Sequence, residues 1–101
     1  MSGLPGATAA EIRRLVAARE VSCEEVTRAH LDRIAAVEPG IDAFLVVAPD
    51  RALDAARRLD AALGRGEAPP PLAGVPLAVK DVLHVPGLPT TCGSRMLEGY
   101  S

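Results

Sequence analysis

Apolar residues recur along the first half of the chain at the three-and-four spacing of helices that bury one side. Thr8 and Glu11 fit a capping box, and Ile12, Leu15 and Val16 follow at helical spacing, so a helix is predicted that ends near Glu20. Ser22 and Glu25 repeat the box, with Val21 and Val26 placed as its hydrophobic staple. The stripe Val26, His30, Ile34 and Val37, widened by Leu31, gives this second helix a face for a partner. Glu38-Pro39-Gly40 should stop it. Ile41 to Val47, IDAFLVV, is short, apolar and β-branched at its ends, the pattern of a buried strand. Pro49 and Asp50 open a third helix through Leu63, with Ala52, Ala56, Leu59 and Leu63 on one face and Gly64 as the closing residue. RGEAPPP then forms a stiff surface loop. VPLAVK, ending at Lys80, is predicted as a second buried strand, and a Pro- and Gly-punctuated loop leads to one helical turn around Arg95 to Leu97.

Two continuous apolar strands imply a sheet covered on both faces, and a sheet normally needs more strands than two. The expectation is therefore an α/β fold class, with the chain as the opening of a larger domain. A length of 101 residues allows one small domain at most. Much of its apolar content is alanine, and Phe44 and Tyr100 are its only large aromatic residues, so the core has little area to spare. The net charge of −2 argues against a surface built for nucleic acid. Cys23 and Cys92 lie far apart with no CxxC and no paired His, which favours free thiols in a reducing compartment over a disulfide or a metal framework. The first residues lack the apolar run of a signal peptide, and nothing approaches the roughly 18 apolar residues of a membrane span. The expected location is the cytoplasm.

The sharpest chemical signal is a choice of cation. Ten of the eleven basic residues are arginine, and Lys80 is the only lysine. Arginine keeps its proton in a protein, whereas a buried lysine can be pushed toward neutral pH and act as a base. By spacing alone a solvated lysine closing a strand would be the ordinary case. Its surroundings change that. The run PLAGVPLAVKDVLHVPGLPTTCGSRMLEGY, with GVP, KD, G-L-P-T-T and G-S in order, resembles the opening of the amidase signature family. The likeness extends back through REVSCEEVTRAHLDRI and IDAF, and it is strongest to the branch of the family built into tRNA-dependent amidotransferases.

The resemblance implies the helices and first strands of that family's mixed-sheet fold, incomplete in these residues. It divides the chain into a helical region with one strand, 7–63, and a strand and loop carrying the lysine, 64–101, both within one domain. It implies that Lys80 is the terminal base of a Ser–cis-Ser–Lys triad. Neither the bridging serine nor the nucleophile, which in the family sits in a G-G-S-S-G segment, is matched by Ser2, Ser22, Ser94 or Ser101. The isolated chain is thus expected to be inactive. In the amidotransferase branch glutamine is the amide, and the ammonia it releases converts Glu-tRNA(Gln) or Asp-tRNA(Asn). Partner subunits of B and C type, charged tRNA bound through the partner, and ATP with Mg²⁺ at the partner subunit follow from the same likeness. The amidase step itself needs no cofactor and no metal.

Around the lysine, Asp81, Thr90, Thr91, Gly93 and Ser94 are candidate supports of the site, with Asp81 leaning toward a structural role. Ser94 lacks the glycine-flanked strained turn of a nucleophile. His84 fits a surface loop, His30 a packed core histidine, and Cys23, just inside a helix start, a small filler; Cys92 stays unassigned. Two rivals stand beside this reading: an amidase of another small amide acting alone, and a non-enzymatic helical interaction module ending at Ser101.

Overall fold

A computed structural model describes residues 3–101, and all its regular structure is helical. Three α-helices, α1 (Ala9–Ala17), α2 (Cys23–Ile41) and α3 (Pro49–Gly64), follow a 3₁₀ turn at Leu4–Gly6; a second 3₁₀ turn spans Arg95–Leu97. α2 packs on α3 and on the first 3₁₀ turn, which the apolar pattern did not announce. Leu4, Ile12, Val16, Val21, Cys23, Val26, Ala56, Leu63 and Ala73 are buried together, with Leu15, Ala29, Leu59 and Val75 packed against them.

The helix starts follow the sequence closely. Ser22 and Glu25 close a full capping box, while Thr8 Oγ1 accepts from the Glu11 amide at 3.1 Å. Val21 and Val26, the predicted staple, are both buried. α2 gains a further cap from outside itself: the Asp60 carboxylate accepts from the amides of Cys23 at 2.7 Å and Glu24 at 3.0 Å. Those amides are free donors at a helix start, so a carboxylate of α3 satisfies the first turn of α2. His30 bonds through Nδ1 to the Val26 carbonyl of its own helix at 2.8 Å and is only half-buried, not the packed core position expected for it.

The ends of the first two helices depart from expectation. α1 stops at Ala17, before Glu20, in a Schellman turn with the Arg19 amide on Val16 O and the Glu20 amide on Leu15 O. Its left-handed residue, usually glycine, is Arg19 at φ 60. The side chain explains the choice, since its guanidinium donates to the Leu63 carbonyl at the end of α3. α3 ends in the same turn, with Gly66 rather than Gly64 at the left-handed position, φ 87. α2 continues through Pro39 to Ile41. Proline there removes one donor in the final turn, where little helix remains to break. Asp42 turns left-handed, and the Glu38 carboxylate takes the amides of Ala43 at 2.6 Å and Phe44 at 2.5 Å.

Both predicted strands are absent: no residue of the described chain is in a β-ladder. Leu45 is 70% exposed and Leu77 is 74% exposed, so neither segment is buried. The physical reason is pairing. A strand satisfies its backbone only on a neighbouring strand, and the two apolar runs do not pair with each other. The predicted turn at Arg95–Leu97 is present as the second 3₁₀ turn, capped by Ser94.

Candidate functional site

The lysine segment is fastened to the helical core just before it becomes exposed. Ala73 is fully buried, and Gly74 sits against α1 and α2 so closely that a Cβ would lie 2.6 Å from Val16 Cγ2 and 3.4 Å from Cys23 Sγ. Gly74 also holds φ +78, so both its conformation and its contact require glycine. Two tight turns, the Ala73 amide on Pro70 O and the Val75 amide on Leu72 O, bring the chain across this spot. From Val75 the backbone leaves the core and reaches Lys80, whose side chain is exposed and, among the described residues, forms no ion pair.

Beyond the lysine the chain folds back on itself. The Leu83 amide returns to the Lys80 carbonyl at 3.0 Å. Asp81 Oδ1 accepts from the Thr91 amide at 2.9 Å, and Oδ2 accepts from the Gly93 amide at 2.9 Å and from the Thr91 hydroxyl. The Cys92 amide reaches the Asp81 main-chain carbonyl at 3.3 Å. The Thr91 hydroxyl, then the Thr91 and Gly93 amides, hold the Asp81 carboxyl below its ordinary range, because each bond favours the charged form. The candidates Asp81, Thr91 and Gly93 are thus brought together, next in the chain to Lys80. Ser94 is used otherwise: its Oγ accepts from the Met96 amide at 3.2 Å. Thr90 is buried, its amide bonded to Tyr100 O at 2.9 Å and its hydroxyl without a partner. His84 lies in the exposed loop and meets Tyr100 edge-on at 5.7 Å.

One residue tying the site together had no signal in the sequence. Arg51, in the first turn of α3, donates to the Pro86 carbonyl, and a Cβ on Gly87 would sit 2.9 Å from its Nη1. An arginine on an exposed helix start looks like solvated surface until the loop it holds is seen. Cys92 is exposed at φ 52, inside the loop. Cys23 is remote from it and buried, and burial first, then the Asp60 carboxylate beside it, push its thiol up to about 12. No group of three His, Cys, Asp or Glu side chains among the described residues could hold a metal ion. No helix among them is long and apolar enough to cross a membrane.

The family model described as Amidase matches residues 25–101, the segment that holds all but the first two residues of α2, together with α3 and the whole lysine loop. The chain belongs to the amidase family. Relatives resemble it over nearly its entire length. The A-type subunit of the glutamyl-tRNA(Gln) amidotransferase of Acidothermus cellulolyticus is 63% identical over 99% of this chain. That of Nocardia farcinica is 58% identical, also over 99%. This amidase-family chain spans about a fifth of the length of each. Among solved structures, a chain from "An unexpected vestigial protein complex reveals the evolutionary origins of an s-triazine catabolic enzyme", in an inhibitor-bound complex, is 33% identical. It superposes with a TM-score of 0.89 over 93% of this chain and 21% of its own. The helical arrangement described above is therefore shared within the amidase family.

Proposed function

We propose that this chain is the N-terminal portion of the A-type subunit of an amidotransferase, a glutamine amidase in which Lys80 is the terminal base of a Ser–cis-Ser–Lys triad. The observation that carries the reading is the 63% identity to a protein of that name over almost every residue here, in a chain whose single lysine falls within the matched segment. A serine hydroxyl is a weak nucleophile until a base takes its proton. A neutral Lys80 amine accepts that proton through the bridging serine as the nucleophile attacks the amide carbonyl. Collapse of the adduct expels ammonia and leaves an acyl-serine, which water hydrolyses to glutamate. Enclosure of the now-exposed lysine by the rest of the protein would disfavour its charged form and ready it for this role. This chain covers 20% of that relative's length; on this reading both serines would come from the remainder, which would also supply the strands that pair with Ile41–Val47 and Val75–Lys80 in a mixed sheet. The ammonia is consumed at partner subunits of B and C type, where ATP, Mg²⁺ and charged tRNA act.

The test is ammonia release from glutamine by the full-length protein purified with its partner subunits. Lys80→Arg and Lys80→Met should each lower it by about 10²–10⁴, the span of a lost general base, and residues 1–101 alone should release none. Retained activity in Lys80→Arg sinks the assignment. The alternative, an amidase acting alone on another small amide, makes a different prediction. Turnover of small amides without turnover of glutamine selects it.

A further inference from the structure

We propose that Asp81 is a positioning residue for Lys80 and not its counter-ion, a role that rests on Lys80 being the base. A carboxylate next in sequence to a lysine is the obvious ion-pair partner, and pairing would hold the amine charged. The Asp81 carboxylate is instead committed elsewhere. Its two oxygens accept the Thr91 amide, the Gly93 amide and the Thr91 hydroxyl, and its main-chain carbonyl takes the Cys92 amide. The receiving loop is shaped for that carboxylate. Cys92 and Gly93 both hold positive φ, 52 and 69, so that amides two residues apart converge on one acceptor. Asp81 therefore closes a ring of about a dozen residues on the lysine's own backbone. The base is fixed on one side by Ala73 and Gly74 against the core and on the other by this clasp, while its amine, among the described residues, is left without an acid partner. Thr91 completes the device, since it alone gives the carboxylate two donors.

The variants Asp81→Asn, Thr91→Ser and Thr91→Val, made in the full-length protein with its partner subunits, test this against Lys80→Met as control. Asp81→Asn keeps the size but loses charge and one acceptor oxygen. It should lower kcat roughly 10–100-fold, the cost of a small misplacement of a reacting group, with KM within about twofold and the melting temperature close to wild type. The acid limb of the pH–rate profile should stay where it is. Thr91→Ser retains the hydroxyl and should keep most of the rate, whereas Thr91→Val should fall with Asp81→Asn. A second readout needs no substrate: trace acetylation of Lys80 across pH, followed by peptide mapping, should give the same midpoint in wild type and Asp81→Asn. A midpoint or acid limb moved to lower pH in Asp81→Asn would mean an ion pair and overturn the proposal. So would an Asp81→Asn enzyme with wild-type kcat. If Asp81→Asn fails to fold, the Thr91 pair decides alone: equal rates in Ser and Val variants overturn the clasp. Full activity in Lys80→Met would instead overturn the assignment of the base, a separate result.

Discussion

At the scale of single residues, carboxylates in this chain serve as receptors for main-chain amides more than as partners for cations. Asp60, Glu38 and Asp81 each gather two amides, at the start of α2, at its end, and in the lysine loop. The ion pairs, by contrast, lie among exposed side chains such as Arg58 with Asp54, where such contacts contribute little. Asp60 also governs Cys23. Burial and that carboxylate raise the thiol from 9.0 to about 12, so the unfolded chain loses the proton first as pH rises. The stabilisation is intact below about pH 9 and is lost as pH climbs toward 12. Alkylation of the native protein at pH 8 should therefore modify Cys92 and spare Cys23. The difference in melting temperature between wild type and Cys23→Ala in the full-length protein should shrink between pH 9 and 11. Equal labelling of the two thiols would contradict the burial.

The helix starts were legible at the level of elements because their signals are local. A hydroxyl three residues before a carboxylate specifies a cap whatever surrounds it, and Thr8 and Ser22 both act as caps. The ends of α1 and α2 were not legible, because what settles them comes from elsewhere in the chain: Arg19 tolerates a left-handed turn while reaching Leu63, and α2 outlasts Pro39 into residues held by Glu38. The strands were read from composition, which marks a segment as apolar but not what lies beside it. Within the candidate site, the loop that Asp81, Thr91 and Gly93 close beside Lys80 could be picked out from motif and residue choice, whereas Arg51 could not, since its contact crosses 35 residues. Gly74 connects element to site. Its replacement by alanine forces a Cβ into Val16 and a side chain into φ +78, together costing about 2–4 kcal/mol. In the full-length protein Gly74→Ala should lower the denaturation midpoint, and Val16→Ala should recover part of the loss; no loss would refute the contact.

The molecule as a whole is looser than its length requires. Its radius of gyration is 14.9 Å, against about 13 Å for a compact chain of 100 residues. It exposes 6937 Å², where a folded monomer of this mass would expose about 5,400 Å². Much of the excess is apolar, contributed by Ile41, Leu45, Val46, Leu77, Val79, Leu83 and Met96. Surfaces of this kind bind partners or aggregate. Residues 1–101 alone should accordingly bind a hydrophobic dye, self-associate at micromolar concentration and melt without a sharp transition. A sharp, concentration-independent melt without dye binding would favour the self-contained interaction module.

Every residue of the buried cluster lies between Leu4 and Ala73. A ribosome therefore finishes the helical nucleus before it begins the lysine loop, and synthesis proceeds at about 5–20 residues per second. The nucleus can close once Ala73 has left the ribosome, before the lysine loop has emerged behind it. Ile41–Val47 meanwhile waits, unpaired, on the outside of a folded body. An unpaired apolar stretch on the outside of a folded body is the kind of surface that chaperones recognise, so Ile41–Val47 should be such a site in the nascent chain.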